Sequence, residues 1–152
     1  MSTLPNPDDF LLGIASDSLS EFGQAICERL RELTPRYDWV GIYWVDGDAL
    51  VLGPWSGRAA TEHTRIPVSQ GVCGAAVRES RTVIVDDVKR DPRYLSCFVE
   101  TRSEIVVPIQ RGSEIIGEID IDGREIGAYT ENDRVFLERL AERIAEKSEE
   151  ML

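Results

Sequence analysis

The chain is poor in the residues that simple catalytic schemes draw on. It has one histidine, His63. A Cys-His or Ser-His pair would have to use it, and its surroundings, Thr61-Glu62-His63-Thr64-Arg65, read as a polar, solvated loop. It has three cysteines, an odd number, with no C-x-x-C pair. That argues against a disulfide framework and against a zinc site. No stretch approaches the roughly 18 consecutive apolar residues of a membrane span. Residues 1–9 hold neither the basic segment nor the apolar run of a secretory signal, so a cytoplasmic location is expected. Cations are also short: 17 Lys and Arg against 28 Asp and Glu, a net charge of -11. Nucleic acid and membrane surfaces are therefore not expected as partners, because both call for a basic face. Repeats and low-complexity tracts are absent.

What is there suffices for a core. The 152 residues are 42% hydrophobic, enough to fold without disulfides or metals. A flexible start over residues 1–9 and one domain over 10–152 are expected. Apolar residues recur at helical spacing over 10–33 (Ala15, Leu19, Phe22, Ile26, Leu30, Leu33), and Pro35 ends the run. Cys27 sits beside this stripe as a small apolar filler. Residues 39–45 read as a strand and 49–54 as its return, joined at Asp46-Gly47-Asp48. A short extended piece covers 65–68, a helix 71–78 and a strand 82–85. Residues 86–99 form an irregular polar loop around Pro92. Strands at 104–109 and 114–122 make a second hairpin. A helix over 130–147 opens on the capping box Thr130-x-x-Asp133. The class is α+β: a mainly antiparallel sheet, terminal helices on one face, a loop-enclosed pocket on the other.

Strand periodicity places the polar groups. In Ile115-Ile116-Gly117-Glu118-Ile119-Asp120-Ile121-Asp122 the odd positions are Ile or Gly. Asp120 and Asp122 share the opposite face, about 7 Å apart along the strand. Glu104 alternates with Ile105, Val107 and Ile109 and falls on that face too. In the first strand Val40, Ile42 and Trp44 are core; Trp39 and Tyr43 line the pocket side. A plain solvated face with its charges outward fits the same alternation. Cys73 stands in Gly71-Val72-Cys73-Gly74 and Cys97 in the polar loop. Thiols near carboxylates suit a thiolate attacking a group that an acid protonates. Arg93 and Arg102 are the cations near Cys97 in sequence that could lower its pKa.

Several runs carry a resemblance: Asp38-Trp39-Val40-Gly41-Ile42-Tyr43, Leu50-Val51-Leu52-Gly53-Pro54-Trp55-Ser56-Gly57, Arg65 through Gly74, Cys97 ahead of Ser103-Glu104-Ile105-Val106-Val107-Pro108, and Asp120-Ile121-Asp122. In these the chain resembles the free methionine-(R)-sulfoxide reductases, small single-domain GAF proteins. The resemblance implies reduction of free methionine (R)-sulfoxide. Cys97 would be the nucleophile that becomes a sulfenic acid, and Cys73 the thiol that resolves it to a disulfide. Glu104, Asp120 and Asp122 would hold the substrate and supply the proton, with Trp39 and Tyr43 in the pocket wall. It implies no bound cofactor or metal, a thioredoxin-like dithiol as reductant and a homodimer. The chain departs from the pattern over residues 57–64, which lack a third cysteine found there in many members. A ligand-sensing GAF module without turnover is the alternative.

Overall fold

The computed structural model describes residues 4–14, 16–96 and 98–150. Six strands form one sheet: β1 Trp39–Asp46, β2 Ala49–Ser56, β3 Arg65–Pro67, β4 Val83–Val85, β5 Ser103–Arg111 and β6 Glu114–Gly123. Their order is β3-β2-β1-β6-β5-β4, and each neighbouring pair is antiparallel. The helices are α1 Pro7–Phe10, α2 Leu19–Leu33, α3 Gly71–Glu79 and α4 Glu131–Glu150. This is the expected α+β arrangement. Among the described residues no helix is long and apolar enough to cross a membrane.

The run read as one helix over 10–33 is broken. α1 ends at Phe10 with Leu11 as its cap, Gly13 turns the chain beyond it at a left-handed φ of +81°, and Ser18 starts α2 by accepting the Glu21 N–H at 3.0 Å. Ala15, counted in that stripe, lies outside the described residues. Within residues 1–9, expected to be flexible, Asn6 caps α1; just past them, Phe10 packs edge-on to Phe136 of α4 at 5.5 Å. The helix at 130–147 keeps its predicted start, where Asp133 accepts the Thr130 N–H at 2.9 Å.

The alternation in the strands builds two cores. On one face Val40, Ile42, Ile105, Val107, Ile119 and Ile121 bury against α2 and α4, with Cys27 among them. On the other, Trp39, Tyr43, Leu50, Val106 and Cys73 pack with Val72 and Ala76 of α3. Both faces of the sheet are thus covered. The reading of a solvated sheet face fails here, because α3 and the segment after β4 lie over it.

Candidate active site

The register of β1, β5 and β6 gathers acids on the α3 face. Asp122 stands opposite Trp39 on one side and Glu104 on the other; Asp120 lies between Gly41 and Val106; Glu118 lies between Tyr43 and Pro108. All four carboxylates are buried, Glu118 completely. Glu104 pairs with Asp122 across the strands and offers an atom within 4.8 Å of Asp120, so three carboxylates crowd one buried face, where ionising all of them together is costly. One oxygen each of Asp120 and Asp122, and both of Glu118, have no hydrogen-bond partner among the described residues. Burial pushes Asp122 and Glu118 well above the usual carboxylate range, Asp122 further by the Asp120 charge. Burial lifts Asp120 as well.

Cys73 reaches this nest from the first turn of α3. Gly71 opens that turn at φ +74°, with Leu95 packed where a side chain would stand. The Cys73 thiol donates to Glu104 Oε2 at 4.0 Å. Cys73 Sγ, Glu104 and Asp120 can each offer an atom within 4.8 Å of the others. A helix N-terminus favours a thiolate by about 1 kcal/mol. Burial and the charges of Asp120, Glu118 and Glu104 outweigh it and raise the thiol pKa well above normal.

Two cavities meet the predicted residues. Tyr43, His63, Ile66, Cys73, Leu95, Glu104 and Asp120 line a cavity of about 10 Å³, room for roughly one water. Trp39 lines a larger one of about 190 Å³ with Asp38, Arg58, Phe98, Thr101 and Arg124. Asp122 lines neither and is buried beside Trp39. The Trp39 ring stacks on Trp55, 6.2 Å between centroids, over Gly41, where a Cβ would meet the ring at 2.3 Å. The structure therefore brings Tyr43, Cys73, Glu104 and Asp120 to one small cavity, with Trp39 and Asp122 flanking it.

Cys97 lies outside the described residues. Its neighbours belong to this face: the Ser96 carbonyl is 3.0 Å from His63 Nε2, and the Phe98 ring is 6.2 Å from Trp39. His63 lies in a loop, as read, but is not fully solvated. It is half-buried, and its carbonyl accepts the Tyr43 hydroxyl at 2.7 Å. Arg93 pairs with Asp91 at 2.8 Å and Arg102 with Asp87 at 3.9 Å, so both cations are engaged by other carboxylates. The residue that sequence reasoning passed over is Glu118. Its signal was present, since it shares parity with Asp120 and Asp122.

The family model described as GAF domain matches residues 16–146. A free methionine-R-sulfoxide reductase of Escherichia coli is 36% identical over 123 residues, 81% of this chain and 71% of that protein. The structure of a type II free methionine-R-sulfoxide reductase from Thermoplasma acidophilum superposes with a TM-score of 0.82 at 40% identity, covering 89% of this chain and 98% of that one. That of free methionine-R-sulfoxide reductase from Neisseria meningitidis, in complex with its substrate, superposes with a TM-score of 0.86 at 33% identity, covering 95% and 85%. The chain belongs to the GAF-domain family and, within it, to the free methionine-R-sulfoxide reductases.

Proposed function

We propose that this protein reduces free methionine (R)-sulfoxide to methionine at the carboxylate nest of β5 and β6. The observation that carries the reading is the burial of Glu104, Asp120 and Asp122 beside a thiol on one sheet face. An acidic site of this kind suits an amino acid with a free ammonium group, which ionised carboxylates hold. It also suits a sulfoxide, whose sulfur becomes electrophilic when an acid protonates its oxygen. A carboxyl lifted by burial remains protonated nearer neutrality and can supply that proton.

In this reading the Cys97 thiolate attacks the sulfoxide sulfur while a protonated carboxyl serves the oxygen. The S–O bond to substrate breaks, methionine leaves, and Cys97 carries the oxygen as a sulfenic acid. Cys73 then condenses with Cys97 to a disulfide and releases water. An external dithiol of the thioredoxin type exchanges with that disulfide. Trp39 and Tyr43 shape the substrate's surroundings. Because the cavity at Cys73 holds roughly one water, a free amino acid enters only as the segments carrying His63 and Leu95 give way.

Two cysteine variants test the sequence of steps. Cys97→Ser is expected to bind methionine sulfoxide and release no methionine. Cys73→Ser is expected to release about one methionine per site and then stall with oxidised Cys97. Full dithiol-dependent cycling by the first variant refutes Cys97 as nucleophile; full cycling by the second refutes Cys73 as its partner. Binding without methionine release by the unaltered protein would return the sensor reading.

A further inference from the structure

Three donors of mixed softness converge on the small cavity beneath α3. Cys73 Sγ comes from α3, a Glu104 oxygen from β5 and an Asp120 oxygen from β6, all within 4.8 Å of one another. None of the three residues is more than 6% exposed. All line the cavity of about 10 Å³, which has room for one small ion or water. Asp120 Oδ1 is buried there without a hydrogen-bond partner among the described residues. The ion pairs among the described residues lie elsewhere, and none of them reaches Glu118, Asp120 or Asp122. Buried carboxylates that lack a cationic side chain either keep their protons or hold a metal.

We propose that Cys73, Glu104 and Asp120 form a binding site for a thiophilic divalent cation of the zinc class, and that its occupation silences the enzyme. One thiolate with two carboxylates is a borderline donor set, which suits Zn²⁺ and not the oxygen-seeking Mg²⁺ or Ca²⁺. Tetrahedral bonds of about 2.3 Å to sulfur and 2.1 Å to oxygen set the donor atoms about 3.6 Å apart. Cys73 Sγ and Glu104 Oε2 stand 4.0 Å apart, so they close on a metal by a few tenths of an ångström. A water takes the fourth position. The paired-cysteine spacing that the sequence lacks is not needed, because three separate elements bring the donors together across the sheet. On binding, the Cys73 S–H gives its proton to solvent and a metal–sulfur bond forms; no electron moves. The metal then holds the thiol and two of the acids that the proposed reaction uses, so substrate is excluded. The silencing rests on the function proposed above; the binding rests on the geometry alone.

The test separates binding from activity. Reduced, metal-free protein is titrated with Co²⁺ by absorption and with Zn²⁺ against a chromophoric chelator. Wild type is expected to take one metal per chain, to show a thiolate-to-cobalt charge-transfer band that Zn²⁺ abolishes, and to melt at a higher temperature with Zn²⁺. Cys73→Ser is expected to lose the band and bind Zn²⁺ at least about 100-fold more weakly, since a lost ligand costs more than a lost outer partner. Asp120→Asn is expected to keep the band and bind about 10–100-fold more weakly. Cys97→Ser is expected to bind both metals as wild type does. The first methionine released per site is followed without dithiol, which itself binds zinc; stoichiometric Zn²⁺ is expected to stop it and EDTA to restore it. Whichever of the Cys73 and Asp120 variants folds decides the ligand set. Absence of the cobalt–thiolate band from wild type, wild-type affinity in either of those variants, or loss of the band in Cys97→Ser overturns the site. Undiminished methionine release with Zn²⁺ bound overturns the silencing. Absence of methionine from the metal-free protein overturns instead the function on which the silencing rests.

Discussion

Asp122 shows the conflict between stability and chemistry within one side chain. Burial and the neighbouring Asp120 raise its pKa well above normal, so the folded protein prefers it protonated. In the unfolded chain it ionises near pH 4. A group raised in this way stabilises fully below the unfolded pKa and loses that contribution as pH climbs through the folded one. Asp122→Asn removes the penalty. The variant is expected to melt at a higher temperature than wild type at pH 8 and at a similar temperature at pH 4.5, while binding methionine sulfoxide weakly. Parallel scans at the two pH values check this. A variant that melts lower at both would make Asp122 a structural residue.

Strand β6 carries the fold on one face and the site on the other. Ile119 and Ile121 enter the core under α2 and α4, while Glu118, Asp120 and Asp122 face α3. Ile121→Ala is expected to cost about 2–5 kcal/mol, read by urea denaturation, with the rate of the first methionine released per folded site unchanged. A loss below about 0.5 kcal/mol would mean the isoleucine face is not core. This two-faced alternation was legible in the sequence, because a period of two is fixed by the backbone. So was the terminal helix, through Thr130 and Asp133. Burial of the acidic face was not legible, since alternation states which residues share a face and not what covers it. The break between α1 and α2 was missed because the helical spacing continues across Gly13. The solvation of His63 was misread because a polar pentapeptide does not reveal that a distant tyrosine, Tyr43, will anchor its carbonyl. Glu118 was visible and unselected: its parity matched, and no motif pointed to it.

At the scale of the whole molecule, the charge of -11 and the buried acids act in one direction. Glu118, Asp120 and Asp122 are all raised, chiefly by burial. Asp91 and Asp133 are lowered, the first by its hydrogen bonds to Arg93, the second by those from Arg36 and Tyr37 overcoming burial. Exposed Glu131 is lowered too, by its hydrogen bond from Arg134, and such lowered groups withdraw stability only as pH falls below the ordinary carboxylate range. Between pH 5 and 8 the raised group dominates. The melting temperature of the substrate-free protein is therefore expected to fall as pH rises from 5 to 8. A melting temperature that climbs across that interval would contradict the buried nest.

The reaction itself offers the most direct measurement. Purified protein is incubated with separated (R) and (S) epimers of methionine sulfoxide and dithiothreitol, and free methionine is quantified. The account predicts methionine from the (R) epimer, little from the (S) epimer, and none from either with Cys97→Ser. No methionine from the (R) epimer, or an equal yield when Cys97 is replaced, would contradict it.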